Sequence, residues 1–215
     1  MTYIEEQISN RKTYYSFHNK PISQDKIDIL LKNADGCTPA LCNRYEYRVD
    51  VWPDNLKKEL YEASCLSIIT DMIHTPARNY FRKTGSWVGT HNHFDDVCIN
   101  PQTLAPLIFS FSIPSDNVKG YSEEVVNYAI GFQVWHLVQL SHELGLDHAF
   151  LKGFDKDYLR KIIEARRFKG PNKYNYFPTF FLCIGYGDEV KDAEVQRPKP
   201  GKGILNTLRF GLKNE

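Results

Sequence analysis

The chain has 215 residues and sets 27 Lys and Arg against 26 Asp and Glu, a formal net charge of +1. That length fits one domain, at most two, at roughly 100–200 residues each, and such a chain buries about 70% of the surface its unfolded form exposes. Fractions of 42% hydrophobic and 25% charged exclude a disordered chain, and the neutral balance argues against a nucleic-acid protein, which shows a clustered basic excess. The surplus lies in flat rings, 13 Phe, 13 Tyr and 3 Trp, which serve either a core or a ligand pocket.

In chain order, Met1–Glu6 has neither a basic flank nor an apolar run, so no signal peptide is expected. Residues 4–17 read as a short helix running into Thr13-Tyr14-Tyr15-Ser16-Phe17. Ser23 then caps a helix with Ile27, Leu30 and Leu31 on its apolar face, stopped at Asp35-Gly36. Residues 45–51 alternate strictly, as a half-buried strand does. Pro53 opens a helix that turns Leu56, Leu60 and Ala63 inward, with Leu66 to Ile69 extending that side. Residues 75–103 lose the period but keep many aromatics, so they read as an inserted lid, with the irregular region spanning about 65–103.

Ala105 to Ile113 is a continuous apolar run, a buried strand. Ser122 caps the longest helix, 123–144, apolar around nearly its whole circumference, which places it in the middle of the fold or at a subunit interface. Its polar interruptions exclude a membrane span, and Gly145 is its C-cap. A short strand over 149–151, a helix over 155–167 and a buried strand over 179–186 complete the order. The polar tail from 188 ends in apolar Ile204, Leu205, Leu208 and Phe210. The order predicts a single α+β or α/β domain. Five cysteines (37, 42, 65, 98 and 183) without paired spacing read as reduced thiols of a cytoplasmic protein.

Four constellations could carry chemistry. Arg11-Lys12-Thr13-Tyr14-Tyr15, where a helix ends, with Arg197, Lys199 and Lys202 near the carboxyl end, could converge on a phosphate, or be two solvated patches. The loop Cys37 to Tyr45 could present main-chain groups to a ligand, or simply connect a helix to a strand. In Leu146-Asp147-His148-Ala149-Phe150-Leu151-Lys152-Gly153-Phe154-Asp155, a glycine after a short strand lets a flat ligand approach the backbone, although Asp155 also works as a plain helix cap. His91, His93, Asp95 and Asp96 lie close together, but without an H-E-x-x-H helix or a distant partner cluster they do not amount to a metal site. No G-x-S-x-G elbow, P-loop or G-x-G-x-x-G fingerprint occurs.

Taken in order, these segments resemble the nitroreductase family of flavin mononucleotide (FMN) enzymes. Arg11 to Phe17 followed by Lys20-Pro21-Ile22 is similar to its opening R-[RH]-S-x-[RK]-x-[FY] and K-P-[IV] motifs. Thr38 to Tyr47 keeps the proline, asparagine and final aromatic of its A-P-S-x-x-N-x-Q-P-W segment. Ala105-Pro106-Leu107-Ile108, the helix from Asn127 to Gly145 and Leu151 to Asp155 resemble three later family segments. The resemblance implies a single domain over 1–215 with a central, mostly antiparallel sheet flanked by helices. It also implies a homodimer with the long helix at its interface, flavin sites built from both chains, and an extended tail over 188–215.

By position, Arg11, Lys12 and Thr13 would hold the FMN phosphate and ribityl, helped by Lys199 and Lys202. Pro39, Ala40 and Leu41 would line the ring from the other subunit, and Asn43 would steady their loop. The Lys152 amide, beside Gly153, would meet flavin N5. Tyr15 stands in the cofactor-binding stretch where the family prefers a basic residue, and Ala40, Leu41 and Tyr45 make the pocket less polar. The implied reaction is hydride transfer from NAD(P)H through FMN to a small planar or aromatic acceptor, under a lid carrying Tyr80, Phe81, Trp87 and Phe94. No protein acid or base is needed for the flavin half-reaction, so no catalytic residue and no metal is assigned. The competing readings are a flavin-binding protein without turnover, a flavin enzyme that dehalogenates, dehydrogenates or fragments flavin, and a metal hydrolase using His91 and His93.

Overall fold

The structure, a computed structural model, describes residues 13–14, 16–36, 47–71, 100–114, 123–165 and 176–189. Their elements are α1 (Gln24–Asp35), β1 (Arg48–Val51), α2 (Lys57–Asp71), β2 (Leu107–Pro114), α3 (Glu123–Glu143), β3 (Asp147–Leu151), α4 (Lys156–Ala165) and β4 (Tyr176–Gly185). Single 3-10 turns precede α2 at Asp54–Leu56 and β2 at Pro101–Leu104. The strands form one sheet in the order β1-β2-β4-β3, every pair antiparallel. The fold is α+β, as expected.

Side-chain alternation divides the core into two layers. Phe109 and Phe111 of β2 and Leu182 and Ile184 of β4 face Leu30 and Ala34 of α1 and Val126, Ile130, Leu137 and Val138 of α3. The intervening Ile108, Phe181 and Cys183 face Leu56, Leu60, Leu159 and Ile163 beside and on α2 and α4. Each fully buried Leu, Ile or Phe contributes about 1.5–3 kcal/mol relative to exposure. Phe181 sits at the centre of the second layer, with Trp52 and Phe154 edge-on to it at 5.1 Å each. Gln133, wholly buried, ties the first layer together by donating from Nε2 to the Asn33 carbonyl at 3.0 Å.

Several expected boundaries move. Residues 13–14 and 16–17 are extended rather than helical: Thr13 bridges His148 in parallel, and Phe17 bridges Gly187 antiparallel. Residues 4–12 lie outside the described residues. The strand expected over 45–51 is β1 from Arg48, with Tyr47 buried just before it. Residues 100–104 belong to the core rather than to a lid, since Gln102 and Thr103 are buried and Thr103 Oγ1 donates to the Asn100 carbonyl at 2.8 Å; residues 72–99 lie outside the described residues. β4 begins three residues earlier than expected. Ser23 occupies the N-cap of α1 without a side-chain cap bond. Gly145 ends α3 as expected, at φ 66°, a backbone that favours glycine.

α3 is also less uniform than its sequence suggests. Val126, Ala129, Ile130, Val134, Leu137 and Val138 are buried, whereas Tyr128, Phe132 and Trp135 are 61%, 68% and 46% exposed. Their spacing of four and three residues stacks the three rings on one side of the helix.

Candidate functional site

The edge strand β3 carries what the structure describes of the expected site. Its last ladder pair is Leu151 with Phe181, so Lys152 and Gly153 lie past the ladder, and both are exposed. The turn they form is clamped at both ends. Leu151 is buried before it, and Phe154 is buried after it with its ring against Phe181. Asp155 is tied twice: its N–H donates to the Ala63 carbonyl at 2.8 Å, and its Oδ1 accepts the Tyr158 N–H at 2.8 Å as the N-cap of α4. Exposed main-chain donors held between buried neighbours are oriented before any ligand arrives, which lowers the ordering cost of binding.

Thr13 lies on the outer side of the same strand. The Tyr14 N–H donates to the His148 carbonyl at 2.9 Å, continuing the sheet beyond β3. The segment then turns onto the residues following β4: the His18 N–H donates to the Tyr186 carbonyl at 2.8 Å, and the Asp188 N–H to the Ser16 carbonyl at 3.0 Å. The Tyr14 hydroxyl donates to Glu189 Oε1 at 3.2 Å. This approach needs glycine at two points, because a Cβ on Gly187 would stand 2.4 Å from the Tyr14 ring and one on Gly185 would stand 2.7 Å from Pro106. Asp147 adds a lock, its Oδ2 accepting the Gly187 N–H at 2.8 Å.

Thr13 is therefore fixed beside His148, four strand positions from Lys152, or about 13 Å at a strand's rise per residue. The two stretches assigned to opposite ends of one elongated ligand share an edge strand. The donor set fits FMN: free amides and a residue without a side chain at one end, and the segment that carries the hydroxyl of Thr13 at the other. Arg11, Lys12, Tyr15, Pro39, Ala40, Leu41, Asn43, Lys199 and Lys202 lie outside the described residues, as do Tyr45, Tyr80, Phe81, Trp87 and Phe94. So do His91, His93, Asp95 and Asp96; among the described residues no group of His, Cys, Asp and Glu could hold a metal ion. No described helix is long and apolar enough to cross a membrane.

Tyr14 and Asp147 lie inside two of the stretches marked in the sequence and are structural parts of this edge, and Gly187 lies outside all of them. Their signal is weak, because the bonds they make join distant stretches of chain. Cys183 is a free, buried thiol in the second core layer, and full burial pushes its pKa up to about 12.

No protein-family model matches the chain, and no curated protein matches it. Crystal structures do. The FMN- and NADPH-dependent nitroreductase NfnB of Sphigopyxis sp. strain HMH superposes with a TM-score of 0.62 at 13% identity, over 98% of this chain and 99% of that one. A nitroreductase with bound FMN from Desulfitobacterium hafniense gives 0.61 at 15% identity, over 92% and 95%. The FMN-dependent nitroreductase NfnB of Mycobacterium smegmatis, in complex with NADPH, gives 0.60 at 16% identity, over 97% of each chain. At these identities the likeness shows a shared fold.

Proposed function

We propose that this chain, whose fold is that of the nitroreductases, is an FMN-dependent oxidoreductase that takes hydride from a reduced nicotinamide and passes electrons to a small planar acceptor. The observation that carries the reading is the convergence on β3: Thr13 beside His148, and the clamped, exposed Lys152–Gly153 turn at the strand's end. Matching crystal structures that bind FMN and NADPH support it. Bound FMN supplies a two-electron carrier that accepts hydride from one partner and reduces another.

The chain's own contribution is to bind and orient. Arg11 and Lys12 would neutralise the phosphate, with Arg giving a two-pronged contact and Lys a point charge, and Lys199 and Lys202 would add charge. Thr13 offers a hydroxyl to the ribityl. The Lys152 N–H would donate toward flavin N5, where a donor favours reduction, and Gly153 would leave the ring room to approach. Pro39, Ala40 and Leu41, steadied by Asn43, would cover the ring from a second copy of the chain. Support for that second copy is the exposed Tyr128, Phe132 and Trp135 side of α3.

The test is reconstitution. Purified chain incubated with FMN should retain it through gel filtration and turn yellow, and anaerobic NADH or NADPH should bleach the colour. A colourless protein overturns the reading, and bound flavin that neither nucleotide reduces turns it into a binding protein. Lys152→Pro removes the amide past the end of the ladder and should slow bleaching tenfold or more, whereas Lys152→Ala keeps the amide and should not.

A further inference from the structure

A cavity of about 260 Å³ opens at the other edge of the sheet, beside β1, on the face that carries α2 and α4. Its walls are apolar, formed by Trp52, Leu56, Ile163 and Pro178. Its floor is polar. Arg48 pairs with Ser112 and Asp50 with Ser110 across the β1–β2 ladder, so all four side chains share the cavity face. Both serines are 2% exposed, and they end the apolar run that Ile108 begins on this face.

The cavity also depends on a bulge. Phe111 pairs with Phe180 but Ser112 pairs with Pro178, leaving Thr179 as an extra residue in β4. A shift of one residue moves side chains to the opposite face. Pro178 and Tyr176 therefore turn to the cavity side, where regular pairing would have turned them toward α1 and α3. Bulges of this kind are concentrated beside binding sites, where they re-aim side chains.

The polar atoms at the rim define the ligand. Arg48 Nε donates to Asp50 Oδ2 at 2.6 Å, and its guanidinium lies 5.2 Å from the centre of the Tyr176 ring. Among the described residues, the terminal guanidinium nitrogens and Asp50 Oδ1 have no further partner. A donor and an acceptor are thus left side by side. A carboxylate would satisfy Arg48 but meet the Asp50 charge, and a hydrocarbon would strip water from both without replacing it. A neutral group with C=O and N–H adjacent satisfies both.

We propose that this cavity binds a neutral planar ring bearing a carboxamide or lactam edge. The ring lies among Trp52, Leu56, Ile163 and Pro178, its carbonyl accepts from Arg48, and its N–H donates to Asp50. At roughly 30 Å³ per water-sized unit, the space takes about nine non-hydrogen atoms. The cavity stands apart from the flavin reading, since it lies at β1 whereas Lys152 and Gly153 follow β3, the opposite edge strand.

The experiment titrates the full chain with benzamide, benzoate and toluene and follows the Trp52 indole N–H by NMR, assigned with Trp52→Phe. Benzamide should saturate and bind at least tenfold more tightly than either of the others. Asp50→Asn should remove the discrimination against benzoate, and Arg48→Ala should weaken benzamide about tenfold. Both side chains are partly exposed, at 38% and 27%, and an unchanged thermal midpoint establishes that each variant folds. If either does not, the wild-type benzamide-to-benzoate ratio decides alone. Benzoate binding as well as benzamide, benzamide binding without a Trp52 shift, or no saturable benzamide binding overturns the assignment.

Discussion

Tyr158 joins α4 to α2 through its hydroxyl, which donates to the Glu62 carboxylate. That bond, reinforced by burial and by the charges of Glu62 and Glu59, pushes the tyrosine pKa up to about 12 from its ordinary 10.0. The folded chain therefore keeps a proton that the unfolded chain releases above pH 10. The stabilisation is whole below that pH and is lost as pH rises toward 12. Cys183 behaves in the same sense from a lower start, its ordinary 9.0 raised to about 12 by burial. Urea midpoints should accordingly fall from about pH 9 upward, and Tyr158→Phe should flatten the part of the decline between pH 10 and 12. An unchanged slope in that variant would show that the Glu62 bond does not survive in solution. The same bond helps hold the start of α4, and with it the turn that displays the Lys152 amide.

The segment over residues 13–18 is held by main-chain bonds and by one fitted aromatic ring, not by a long ladder. Gly187→Ala puts a methyl group into the Tyr14 ring, and overpacking of this kind costs about 1–3 kcal/mol. We expect a lower urea midpoint of that size together with weaker FMN retention, because Arg11 and Lys12 immediately precede the displaced stretch. A stability loss with FMN affinity intact would separate this segment from the cofactor. A capped apolar face made α1 legible in the sequence, a continuous apolar run made β2 legible, and a long apolar stretch closed by Gly145 made α3 legible, while a glycine after an apolar strand pointed to Lys152–Gly153. The segment beginning at Thr13 was not legible, since Thr-Tyr-Tyr-Ser-Phe shows no alternation and its partners, His148 and Gly187, lie far along the chain. The cavity at β1 was hidden for a related reason. Arg48 and Asp50 share a strand face by their spacing, but only the bulge at Thr179 brings Pro178 and Tyr176 to meet them.

For the molecule as a whole, the aromatic surplus divides into two uses. Phe109, Phe111 and Phe181 fill the two core layers, whereas Tyr128, Phe132 and Trp135 face outward along α3. The three rings lie on one exposed side of α3, an apolar strip of the kind that marks an interaction face, and under the proposed function its occupant is a second copy of the chain. Sedimentation at micromolar concentration should give a dimer, and Phe132→Asp should shift it toward monomer. If Pro39, Ala40 and Leu41 reach the flavin of the neighbouring copy, the same variant should also bind FMN less tightly. A wild-type monomer that binds FMN fully would remove the shared site from the reading.

The contact between Tyr14 and Glu189 spans 175 positions of chain. At roughly 5–20 residues per second, ribosomal synthesis leaves Tyr14 without this partner for roughly ten to thirty-five seconds. The stretch that follows Arg11 and Lys12 is thus made early and seated late. A nascent chain stalled before β4 is finished would have no seat for residues 16–18, however much of its helical structure had already formed.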